Sequence, residues 1–292
     1  MPPCQEANVQ CLDALDNLPK AKRLDGQSPP QKPEYDPVLR RLYIATTYFC
    51  FSMVGWIMLL PASWLIGRSR LHREVILPYL EKQTPFFLVV PSSIVSKYQG
   101  HSLVHFTHLV PSAIWAAIIP FQLHPTWRQN NRKLHRILGY FFLATTFLVA
   151  IGVIVILHRK LTYEHFFPDL EPNLGHAMQK YFMAAMAIWF VATAIQSVRM
   201  ARAKKIREHQ KWMYRHVASG IWIAVQRLVF IPLAIAYVKL ILGPSEKPSQ
   251  WIQREIFAGS AELSYVICIY LGEYAHKRVS QQPVPQRKEK EN

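Results

Sequence analysis

The sequence predicts an all-α protein, a polytopic membrane bundle of about six transmembrane helices. Three observations carry this. Of 292 residues, 51% are hydrophobic, and these residues are gathered in blocks rather than spread in stripes. Six nearly charge-free windows, 43–66, 101–123, 135–157, 178–198, 217–243 and 252–274, are each long enough to cross a hydrocarbon core of ~30 Å. Lys and Arg collect between the windows, about twice as many on the face shared by the termini and the second and fourth loops as on the other. By the positive-inside rule the N- and C-termini are cytoplasmic. The formal charge of +16 then belongs to this topology and to contact with a lipid bilayer, and no nucleic acid is expected.

Residues 1–39 are polar and contain proline. They lack a signal-peptide core and are read as a disordered cytosolic tail, followed by a membrane domain over 40–278 and a second tail over 279–292. Cys4 and Cys11 fall in the tail, Cys50 and Cys268 in apolar windows; this is neither a disulfide framework nor a zinc spacing.

The first window ends in LLPASWLIG, where Trp56 and Trp64 suit an interface. In the long loop that follows, TPFFLVVPSSIVSKY is apolar but too short to span. The segment 85–98 is expected to lie on the interface or fold over the outer mouth. Pro111 and Pro120 should kink the second span, leaving carbonyls for neighbouring helices to satisfy. The third to fourth loop is acidic, with Glu164, Asp169 and Glu171, and the loop before the fifth span is strongly basic.

The 12 histidines sort by depth. His101, His105 and His108 follow i, i+4, i+7, one helical face at the outer surface. With His176 they form an outer level, and His135, His209 and His216 form an inner one. His209, Met213, His216 and Gly220 make one helical stripe facing the bundle, while Lys211 and Arg215 reach toward headgroups. Gly139 stands one turn after His135. Small residues one turn from histidines admit a flat macrocycle, so haem b is the candidate cofactor, its iron held by His105 with His176 and by His135 with His209 or His216. The plainer alternative makes the same histidines interface anchors. A second constellation comes from depth: Arg227 and Glu262 lie at matching levels of the fifth and sixth spans, ~18 and ~15 Å in at ~1.5 Å per residue. They are expected to pair, since a lone charge at the bilayer centre is costly.

The strings SLVHFTHL, PFQLHPTWRQNNRKLHRILGYF, AIWFVATAIQSVRMARAKKIREHQKWMYRH and AVQRLVF resemble the family of predicted membrane proteins called domain of unknown function 2306, over roughly residues 100–275. The motif positions fall at His105, Pro120, Phe121, Gln122, His135, Arg136, Gly139, His209, Trp212, Met213, Arg215 and Arg227. His176 and His216 are outside the pattern. The resemblance implies an architecture and candidate positions, not a reaction. In layout alone the histidines are similar to those of two-haem transmembrane cytochromes b that reduce iron with ascorbate.

Two functions follow from these residues. In the first, haem b moves electrons across the membrane, and bis-imidazole ligation leaves no open site for substrate. In the second, the protein is a non-redox binder or carrier of a lipid or small molecule. The histidines, Gln122 and Arg227 then line a polar cavity whose mouth is covered by residues 85–98. Either leaves a homodimer open. No His-Glu-x-x-His, Gly-x-Ser-x-Gly or clustered aspartates point to a membrane-embedded lipid enzyme.

Overall fold

The computed structural model describes residues 36–59, 70, 74–75, 77–82, 97–162, 172–242 and 250–281. Six long helices hold the fold: α1 (Pro37–Leu59), α2 (Ser102–Leu123), α3 (Arg132–His158), α4 (Pro172–Arg202), α5 (Ile206–Tyr237, continued by a π turn, Val238–Leu242) and α6 (Gln250–Gln281). No strand occurs among the described residues. Five helices, α2 to α6, contain segments long and apolar enough to cross a bilayer. At 23 residues, α1 spans about 34 Å at ~1.5 Å per residue. The rest of the window at 43–66 lies outside the described residues, as do the acidic loop residues Glu164, Asp169 and Glu171 and all of the 85–98 segment but its last two positions.

Local chemistry sets the helix starts. Asp36 caps α1, its Oδ1 accepting from the Val38 and Leu39 amides at 2.8 and 3.4 Å. Pro37 then occupies the first helical position, where its missing N–H is no loss. Between α2 and α3, His124 Nδ1 accepts from the Trp127 amide at 3.1 Å, capping a short helix, Pro125–Asn130. The α4–α5 turn is made by Lys204, a non-glycine residue at φ 58°, so α5 begins at Ile206. The basic segment expected as a loop is therefore mostly helix, and REHQKWMYRH forms its first turns.

In α2 the residues His105–Leu109 form a π turn, which places one extra residue in the ladder just ahead of Pro111. The regular 3.6 period is broken there, and the three histidines of the i, i+4, i+7 run reach different surroundings. Pro120 lies inside the helix, and its carbonyl accepts from the Tyr43 hydroxyl at 3.3 Å, so α1 supplies a bond to this part of the backbone.

Helix α5 packs against α1, α4 and α6, while α2 packs against α1 and α3. Between lipid-embedded helices association relies on close packing and hydrogen bonds more than on expulsion of water. The small residues show where backbones approach. A Cβ on Gly220 would strike the Trp115 ring, and one on Gly272 would sit 2.7 Å from Ala218 Cβ. Outward, bulky apolar side chains such as Ile188 and Leu240 are 70% and 83% exposed, as a lipid solvent permits. Cys50 and Cys268 are buried in the same apolar core and free.

Candidate functional site

The most buried polar centre is His216. Its ring is fully enclosed, stacked on Phe190 at 4.5 Å and met edgewise by Phe142 and Trp115. The Phe190 carbonyl, 3.0 Å from Nδ1, can only accept, so Nδ1 carries the proton. Trp115 Nε1–H donates to Nε2 at 3.1 Å. Both nitrogens of a neutral imidazole are thus used. Thr193 and Thr146 stand at 3.3 and 3.2 Å from them. Four helices, α2 to α5, meet in this knot.

Two expectations concern this centre. His216 has no lone pair to offer an iron in this arrangement, and it sits in the bundle core rather than at an inner boundary. Gly220, expected to admit a macrocycle, is occupied by the indole of Trp115. The stripe His209, Met213, His216, Gly220 does face the bundle, as the helical spacing implies.

The remaining inner histidines lie at the termini end. His209 Nδ1 donates to the Ser197 carbonyl at 3.0 Å, with Ser197 Oγ at 2.9 Å, tying α5 to α4. His135 is half-buried on α3, and its carbonyl accepts from Gln122 Nε2 at 3.0 Å. Gln122 is therefore a buried α2–α3 tie and not a cavity wall. The Gln210 carbonyl oxygen accepts from Arg128 Nη1 and Nη2 at 2.9 and 2.8 Å. Arg215, expected to reach for headgroups, turns onto α6 and grips Glu273 with Nε and Nη2 at 2.5 and 2.7 Å, and it lies over Trp212 at 4.6 Å. Lys211 pairs with Glu208 at 2.7 Å. Asp36 meets Arg278 at 3.9 Å, linking the start of α1 to the end of α6.

Arg215 with Glu273 is thus an ion pair that joins α5 to α6. Aromatic rings also serve the Arg227 guanidinium. Arg227 lies 4.5 Å from the Trp56 ring centroid and 4.8 Å from that of Phe257. Its neighbour Gln226 bonds the Phe257 carbonyl at 2.8 Å. Glu262 is half-buried on α6, next to Ala261.

Arg227 opens onto a cavity of about 190 Å³ in the half of the bundle away from the termini. Its walls are mostly apolar, with Met53 and Trp56 from α1, Leu109 and Trp115 from α2, and Phe257 from α6. Lys97, Tyr98, His108 and Gln226 supply polar groups. His108 Nδ1 donates to the Val149 carbonyl at 3.3 Å, held where α3 passes close enough that a Cβ on Gly152 would strike it at 2.5 Å. Lys97 stands in the turn before α2. Burial, and then the neighbouring Arg227 guanidinium, push its amine down to about 7.

Of the side chains expected in a polar cavity, His108 and Arg227 line this one. His105 is fully buried elsewhere on α2, its Nδ1 donating to the His101 carbonyl at 2.8 Å. His176 lies on α4, and its side chain is outside the described residues. Sequence reasoning passed over Gln226, which stands in AVQRLVF. Lys97 belongs to the segment 85–98 expected over the mouth, but a loop lysine has no period to single it out.

Residues 105–243 match the family model described as predicted membrane protein, domain of unknown function 2306. No curated protein and no solved structure matches the chain. The matched segment holds α2, α3, α4 and α5, whereas Trp56 and Phe257, which flank Arg227, come from outside it.

Proposed function

We propose that this membrane protein, whose residues 105–243 match the family model of domain of unknown function 2306, binds a small amphiphilic molecule in the cavity beside Arg227, as a binder or carrier. The observation that carries this reading is the placement of a guanidinium, an amine and an imidazole on the walls of one otherwise apolar intramembrane cavity. Apolar walls with a few polar groups are the usual make-up of ligand sites, and charge inside a membrane domain commonly marks one. At about 190 Å³ the space is smaller than the ~300 Å³ and upward of drug-sized sites. It suits a small ligand, or one end of a larger one whose remainder stays in the bilayer.

The test is to purify the protein in mild detergent and identify bound small molecules by mass spectrometry, beside Ala187→Phe, which fills the cavity from α4. A molecule retained by the wild type and lost from the variant supports the reading. Equal retention by both sinks it.

A second reading, haem b with transmembrane electron transfer, draws on a different observation. His105 and His209 each give Nδ1–H to a backbone carbonyl, the arrangement that orients histidines for metal ligation. With His216 committed to Trp115, the candidate ligands are His105 with His176 and His135 with His209. Bound haem would supply one-electron chemistry, and these side chains would hold and orient it. Absorption spectra of the oxidised and dithionite-reduced protein, expressed with added haem, decide this. A reduced α-band lost in His105→Ala or His209→Ala supports haem, and a colourless folded protein removes it.

A further inference from the structure

We propose that the molecule held in the cavity is a neutral amphiphile with a hydroxyl head, the hydroxyl donating to His108 Nε2 and the hydrocarbon lying along the methionine and aliphatic wall. The inference rests on the cavity-binding reading and names its ligand class. Three features of the walls point to it.

First, His108 presents a lone pair. Its Nδ1–H goes to the Val149 carbonyl at 3.3 Å, so in the neutral ring Nε2 carries no proton and can only accept. No group among the described residues donates to Nε2. The ring is also held, since α3 passes so close that a Cβ on Gly152 would strike His108. Second, the neighbouring polar groups have given their protons to the backbone. Ser219 Oγ donates to the His216 carbonyl at 2.7 Å and Gln226 Nε2 to the Phe257 carbonyl at 2.8 Å, and both residues line the cavity. Ser112, four residues after His108 and 5% exposed, adds to the wall a hydroxyl that can donate or accept. A wall rich in lone pairs favours a guest that donates, because a buried acceptor left unmet is costly. An ether or a halide brings no proton, and a carboxylate brings only more lone pairs. A hydroxyl donates to Nε2 and can accept from Ser112 with the same oxygen. An ammonium also donates, but its charge among apolar walls is costly. Third, the remaining wall includes Met53, Ile57, Leu109, Val153, Met183 and Met186. Unbranched thioether chains adapt to a flexible hydrocarbon. Water could satisfy His108 and Ser112, whereas a hydrocarbon tail also covers these apolar faces.

The experiment measures binding of tritiated tetradecanol to the full chain in detergent by scintillation proximity, with unlabelled tetradecanol, fluorotetradecane and myristate as competitors. The three have chains of the same length and differ in the head. Fluorine is close to a hydroxyl in size but cannot donate, and myristate is an anion. The expected result is saturable binding, with the alcohol competing at least about fivefold better than either rival, as one buried hydrogen bond predicts. In His108→Leu the alcohol should fall to the level of the fluoride, and His108→Gln, which keeps an acceptor, should retain part of the difference. Alcohol and fluoride competing equally in the wild type, or myristate competing best, with Ala187→Phe still abolishing binding, overturns the hydroxyl assignment and leaves the cavity as a site. A preference for the alcohol that survives in His108→Leu overturns the role of His108. No saturable binding, or binding indifferent to Ala187→Phe, overturns the cavity reading too. The competitor series on the wild type needs no variant, and circular dichroism and elution profile of each variant separate lost binding from lost folding.

Discussion

The two halves of the bundle spend their polar residues differently. At the termini end several polar side chains grip another helix: Gln122 holds α3, His209 holds α4 through Ser197, Arg215 holds Glu273, and Asp36 meets Arg278. In the other half Lys97, His108 and Arg227 border a cavity. Residue type does not distinguish these halves, since both carry histidine, arginine and an amide. What differs is the setting. A polar group that bonds a neighbouring helix fixes it, and one on a cavity wall can also meet a guest.

The comparison can be broken by experiment. The largest effect is expected at the knot between the halves: Trp115→Ala should destabilise by about 3–5 kcal/mol, through loss of a large buried side chain and of the bond to His216. Thermal unfolding in detergent checks it, and a Tm within error of wild type would remove His216 and Trp115 from the centre of the fold. Next, Arg215→Met should cost roughly 2–4 kcal/mol by leaving Glu273 unpaired, while the double replacement with Glu273→Met costs less than the two single changes summed. Ligand retention should survive in the folded fraction. If Arg215→Met emptied the cavity while the bundle stayed folded, the division into a gripping half and a binding half would fail.

Arg227→Gln should do the reverse, lowering retention of the molecule that copurifies with the wild type while shifting stability less than Arg215→Met does.

Much of the fold is legible in the sequence. The apolar windows locate α2 to α6 because lipid requires ~20 apolar residues in a row, and the helical stripe through His209, Met213, His216 and Gly220 has the right face. Its chemistry is not legible, because periodicity says which way His216 points but not that Trp115, distant in sequence, donates to it. The same limit applies to Arg227: depth says nothing of Trp56 and Phe257, whose rings stand over it, and ring placement depends on how α1 and α6 pack beside α5. Lys97 belongs to a turn, where neither hydropathy nor period carries information about position.

The π turn at His105–Leu109 acts as an angular setting for what precedes it. Shortening it by one residue to an ordinary α-helical turn would rotate the chain N-terminal to it by about 100° and move it by about 1.5 Å relative to the rest of α2. Lys97 and Tyr98 lie on that upstream side and line the cavity, so the orientation of a cationic wall depends on a single surplus residue in the helix that follows.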